Sequence, residues 1–196
     1  MFVQVIKGHT NDPVGLRAQF ERWREELMPG AIGFEGSTAG VAEDGTFIAL
    51  ARFTDADAAR KNSERPEQGA WWEATEKYLD GAATFRESTD TSTLFDGGSN
   101  DAGFVQIMEG SVKDRAKAEA FESPEMLDQL RAARPDLIGG LRVWFPDADF
   151  VDTAYFTSES AARAGESSDA FAGPSEEYGQ LFNEVTYIDL RDPLLL

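Results

Sequence analysis

Few residues in the chain have the type and spacing to do chemistry. His9 is the single imidazole; its unperturbed pKa suits proton transfer near neutral pH, and Asp12 follows close by. No nucleophile stands beside it in sequence, and a lone loop histidine is commonly a surface residue. Gln4 and Gln106 occupy equal positions in two similar strand-like segments, on the same face as Phe2, Ile6, Phe104 and Met108. An amide there either presents a donor and an acceptor to a ligand or satisfies a backbone group in the core. Trp71 and Trp72, with Arg65, Glu67, Gln68 and Glu73 nearby, supply either an aromatic wall with a polar rim or plain core packing. Arg52 aligns with Tyr155 at a position where a polar pair binds an anion or closes on itself. These give a ligand-binding set of Gln4, Arg52, Trp71 and Trp72 and no assigned catalytic residue.

No metal site is expected. The chain has no cysteine, which excludes thiolate nucleophiles, disulfides and Cys-ligated zinc or iron–sulfur centres, and one histidine excludes multi-His sites within one chain. The acidic pairs Asp55/Asp57, Asp147/Asp149 and Glu176/Glu177 fall at caps and turns, where acids serve the backbone. With 18 basic against 36 acidic side chains, the net charge of −18 disfavours nucleic acid and anionic membranes as partners. Apolar runs are far shorter than the roughly 20 residues needed to span a bilayer. The chain opens directly on a strand, without a leader pattern, so a cytoplasmic location is expected.

Something must position these groups, and the chain shows what by repeating itself. Phe2-Val3-Gln4-Val5-Ile6-Lys7-Gly8 is answered by Phe104-Val105-Gln106-Ile107-Met108-Glu109-Gly110, and the stretch Ala51 to Arg60 by Ala154 to Arg163, at offsets of 102 and 103. Pro29 to Gly33 corresponds more loosely to Pro135 to Gly139, at an offset of 106. Within the first copy, Phe2 to Gly8 is a strand, and Asp12-Pro13 caps a helix with Leu16, Phe20, Trp23 and Leu27 along one stripe. Two strands flank the Asp44-Gly45 turn. A second helix is broken near Pro66 and resumes through Trp71 and Leu79, and residues 82–87 close the unit. The second copy follows the same order, with a helix interrupted at Ser123-Pro124 and Gly173-Pro174 where the first copy has its tryptophans. The polar, turn-rich residues 89–102 read as a linker between repeats 1–88 and 103–196.

Each βαββαβ repeat specifies an antiparallel four-stranded sheet with both helices on one face, a ferredoxin-like α+β unit. The bare faces of two such sheets in one chain can bury each other as one intramolecular barrel.

The chain resembles the dimeric α/β-barrel proteins, in their antibiotic biosynthesis monooxygenase-like branch. The likeness rests on the βαββαβ order, on Pro29-Gly30-Ala31-Ile32-Gly33-Phe34, on Phe47 to Phe53 running into Thr54-Asp55 and Ala58-Ala59, and on Ser63-Glu64-Arg65-Pro66-Glu67 before Trp71-Trp72. In that family two single-unit chains usually pair, so the resemblance implies a monomer with an internal pseudo-dimer, or a homodimer of such chains. Its heme-degrading branch uses a first-strand Asn, a Trp early in the second helix and a later His on iron. Here the matching positions are Gln4, a residue near Asn62, and no His, so heme degradation and any cofactor are not expected. The resemblance implies binding of a small apolar or aromatic molecule, placed by the tryptophans in the first half, with cofactor-independent monooxygenase-like activity. The alternative is a non-catalytic structural or interaction module with a closed core.

Overall fold

In the computed structural model, which describes residues 1–168 and 172–196, the first strand is β1 (Phe2–His9), with Phe2, Val3, Val5 and Ile6 buried on its two faces. Asp12 then accepts from the Gly15 N–H to cap α1 (Pro13–Glu26), whose first turn starts on proline. β2 (Phe34–Val41) and β3 (Thr46–Phe53) form a hairpin in which Gly45 takes φ +85°, the left-handed region glycine adopts without strain. The second helix breaks at Pro66 into α2 (Ala56–Ser63) and α3 (Pro66–Thr75), and β4 (Thr84–Ser88) returns beside β1.

The second repeat runs β6 (Phe104–Val112), α4 (Arg115–Phe121), α5 (Pro124–Ala133), β7 (Leu137–Trp144), β8 (Asp149–Phe156), α6 (Glu159–Glu166), α7 (Ala172–Gly179) and β9 (Phe182–Leu190). Where α1 is one helix, its counterpart is split: Ser123 caps α5 ahead of Pro124. Glu122 is left at the junction as the last residue of α4's cap.

The core strand order is β2-β3-β1-β4 in one sheet and β7-β8-β6-β9 in the other, the ferredoxin-like order, all pairs antiparallel. Two short strands complete them. β5 (Thr91–Leu94), inside the stretch expected to be a linker, lies beside β7, and β10 (Leu194–Leu195) lies beside β2. The chain accordingly divides into a first unit of Met1–Thr91 with Asp192–Leu196 and a second of Ser92–Arg191. The single barrel expected from the sequence is not closed by hydrogen bonds: two separate five-stranded sheets form, and the outer edges of β2 and β7 are already occupied by β10 and β5.

The repeat is kept to the level of register. Both second strands carry a bulge, at Phe34/Gly36 and at Leu137/Gly139. Thr54 donates to the Gly33 carbonyl and Thr157 to that of Asp136, so these strands correspond at 103 positions rather than the 106 read from the sequence.

Packing separates the two units. In the first, Phe20 lies 5.3 Å from Phe47 and 5.4 Å from Trp71, over Ala39 and Ala49, while Trp72, Tyr78 and Leu79 fill the same helix-facing layer. In the second, the positions of Ala39 and Ala49 are held by Arg142 and Asp152, opposite each other in the β7–β8 ladder. Two charged groups there cannot be covered by apolar side chains without leaving polar atoms unpaired.

Candidate functional site

Between the second sheet and its helices lies a cavity of about 830 Å³, within the roughly 300–1,000 Å³ range of small-molecule sites. Every residue that lines it belongs to the second unit. Met108 and Phe150 form its sheet wall, Phe121, Met126 and Leu130 project from α4 and α5, and Phe182 closes the side, T-stacked on Phe150 at 5.2 Å and on Tyr178 at 4.8 Å.

Into this apolar chamber the hairpin places a buried ion pair. Arg142 donates through Nε to Asp152 Oδ1 at 2.7 Å and through Nη2 to Oδ2 at 2.5 Å, a bidentate fork. Nη1 reaches Glu122 Oε1 at 2.6 Å, and Nη2 also donates to the Tyr178 hydroxyl at 2.7 Å. The Tyr178 hydroxyl donates in turn to the same Glu122 oxygen. Four residues from β7, β8, the α4–α5 junction and α7 thus close one network. Burial pushes the Asp152 carboxyl up, against the pull of Arg142. For Arg142, burial opposes the charge, but hydrogen bonds and attraction from Asp152 prevail and hold the guanidinium protonated. Burial raises the Tyr178 phenol well above its ordinary value, with the Glu122 carboxylate adding to the effect against Arg142.

The network leaves functional groups open. Arg142 commits Nε–H, both Nη2 hydrogens and one on Nη1, so one Nη1–H has no partner among the described residues. Glu122 uses only Oε1 among the described residues. Gln106, 8% exposed, lines the same cavity and donates through its amide nitrogen to Asp189 Oδ1 at 3.0 Å. Chemically the site can accept a proton at Glu122 and hold an oxyanion beside Arg142.

The residues singled out from the sequence lie elsewhere. Gln4 is bound to Glu87 Oε1 at 2.8 Å. Trp71 is buried against Trp23 and Leu27 and donates to the Gln19 carbonyl at 2.8 Å. Trp72 stands 5.9 Å from Trp71 and 5.2 Å from Phe85. Arg52 lies on the opposite sheet face from Gln4, its guanidinium over Gly36 and beside the Leu196 carbonyl; Tyr155, its counterpart, is buried. The tryptophans come together, but Gln4 and Arg52 do not join them. None of the four lines this cavity or the smaller one, of about 270 Å³, beside α1 in the first unit. The first half, expected to hold the site, is filled there by its own aromatics. His9 is a surface residue that bridges the Asp44 carbonyl at 2.9 Å and lies 4.0 Å from Asp80. Asp55 caps α2, and Asp57 pairs with Arg60 and Lys61.

Sequence reasoning did not find Arg142, Asp152, Glu122 or Tyr178. A signal existed: Arg142 and Asp152 are charges set into otherwise apolar strands, with the parity of the helix-facing residues.

The architecture defines a tandem ferredoxin-like α+β protein. A "putative monooxygenase" from Lactobacillus acidophilus NCFM superposes with TM-score 0.72 over 100% of this chain and 99% of its own, at 14% identity. A second "putative monooxygenase", from Fusobacterium nucleatum subsp. nucleatum, gives TM-score 0.76 over 96% and 90%, at 10% identity. An anthrone oxidase-like protein gives 0.65 over 99% and 92%, also at 10% identity. At these identities the likeness is one of fold. No family model and no curated protein matches the sequence. Among the described residues no helix is long and apolar enough to cross a membrane.

Proposed function

We propose that the chain binds a small, largely apolar aromatic molecule in the cavity of its second unit and oxidises it without a cofactor, as a monooxygenase-like enzyme. The observation that carries this reading is the single network of Glu122, Arg142, Tyr178 and Asp152 in a cavity that also presents Met108, Phe121, Met126, Phe150 and Phe182. Substrates with an acidic CH₂ flanked by aromatic rings fit it. Glu122 Oε2 takes one C–H proton, and the uncommitted Arg142 N–H faces the oxygen onto which the negative charge delocalises. The carbanion gives an electron to O₂, the radical pair joins as a C–O–O bond, and the peroxide recovers the proton. Loss of the second C–H proton with O–O cleavage yields a ketone and water, so one O₂ is consumed per CH₂ oxidised. Asp152 holds Arg142 and does not touch substrate. It is a positioning residue.

Because the cavity is lined by one unit of one chain, this reading needs no second copy; a single mass in native mass spectrometry is the matching expectation. The closed-core alternative suits the first unit, where Phe20, Phe47, Trp71 and Trp72 pack in the corresponding space.

The test is an oxygen-electrode assay with 1,8-dihydroxyanthrone, whose non-enzymatic oxidation is subtracted. One equivalent of O₂ consumed per anthrone, abolished in Glu122→Gln, supports the reading. Rates equal to the buffer blank with wild-type protein would dismiss the oxidase activity.

A further inference from the structure

Each arginine at the cavity is already matched by acids. Arg134 forks onto Asp136 through Nε at 3.1 Å and Nη2 at 2.8 Å. Arg142 is shared by Asp152 and Glu122. Arg163 is shared by Glu166, at 3.0 Å, and Asp189. A ligand carboxylate or phosphate entering this chamber meets Glu122, Asp152, Glu166 and Asp189 on its lining and competes for each arginine with an acid already paired to it, which is costly.

Two acceptors meet the opposite condition. Asp189 can only accept, so the amide nitrogen of Gln106 must face it and the amide oxygen must face away. Among the described residues nothing donates to that oxygen, although the side chain is more than nine-tenths buried and lines the cavity. Glu122 Oε2, on a side chain about a quarter exposed at the α4–α5 junction, likewise has no donor among the described residues. In this cavity a donor comes from the ligand or from water.

From these two open acceptors and three guanidinium groups already paired with acids, we infer the ligand class: an uncharged molecule with an apolar body that donates hydrogen bonds at two separate points, through phenol or amine hydrogens, while carboxylates are rejected. The inference rests on the cavity being a ligand site, as proposed above, and is independent of whether the ligand is oxidised. Gln106 is a specificity residue and Glu122 serves both roles.

Calorimetric titration of the intact protein at pH 7 with three naphthalenes of the same core tests it. They are 2,6-dihydroxynaphthalene, 2,6-dimethoxynaphthalene and naphthalene-2,6-dicarboxylate. The diol binds at least tenfold more tightly than either of the others, and Gln106→Leu removes most of that advantage while leaving the dimethoxy affinity unchanged. Equal or tighter binding of the dimethoxy compound or the dicarboxylate overturns the inference and leaves an apolar binding site standing. Failure of all three to bind overturns both the inference and the binding reading beneath it.

Discussion

Asp152 faces Arg142 across the β7–β8 hairpin at the register that Ala49 and Ala39 hold in the first unit. One repeat thus has a charged pair where the other has two methyl groups, and the unit with the charged pair holds the larger cavity, about 830 Å³ against about 270 Å³. The matched pairs Gln4–Glu87 and Gln106–Asp189, each 83 residues apart, show that the sheet beneath is otherwise conserved between repeats.

Arg142→Ala strands the buried Asp152 carboxylate, and the expected cost is about 3–5 kcal/mol. Adding Asp152→Ala restores the alanine pair of the first unit and recovers a large part of that loss. Urea denaturation of the two variants decides it: a double variant less stable than the single one would show that the pair is not coupled.

Alkaline stability reports on Tyr178. Its folded pKa lies above the ordinary phenol value of about 10, so above that pH the unfolded chain releases the phenolic proton first. Stability therefore falls as pH rises from about 10 toward the folded value, by up to about 1.4 kcal/mol per pH unit. Tyr178→Phe should lose stability less steeply over the same window in thermal melts; parallel slopes would mean that the phenol is not protected.

Removing residues 194–196 deletes the buried Leu194 and the paired Ser37–Leu196 hydrogen bonds, 2.8 and 3.0 Å. Amide exchange at Ser37 should accelerate by at least tenfold, with a loss of roughly 2–4 kcal/mol from the leucine alone. Unchanged protection of Ser37 would mean that β10 contributes little in solution.

Trp71→Phe removes the bond to the Gln19 carbonyl at a cost of about 1–2 kcal/mol, and Trp71→Ala costs about 3–5 kcal/mol. Neither substitution should alter ligand affinity in the second unit. A tenfold weakening in titrations of Trp71→Phe would instead give Trp71 the binding role its sequence context suggested.

Local signals were readable wherever chemistry and spacing sit together. Asp12-Pro13 marked a helix start, Asp44-Gly45 a hairpin, Pro66 and Ser123-Pro124 two helix breaks, and the paired Gln segments the duplication itself. Arg142 and Asp152 become partners only through hairpin register, and the Glu122–Tyr178 bond spans 56 residues. Trp71 carries the same letters whether it lines a chamber or fills a core; what decides is Phe20, 5.4 Å away on another helix. β5 and β10 are too short to show alternation.

The placement of β10 also orders the protein's biogenesis. The edge of β2 waits for Leu194 and Leu195, which leave the ribosome only after the whole second repeat has emerged. Through that interval the nascent first repeat presents an unpaired strand edge, the feature most prone to adventitious pairing with other chains. Completion of the first sheet is therefore a late, long-range step in synthesis, and a gene fragment ending after β4 encodes a sheet without its edge strand.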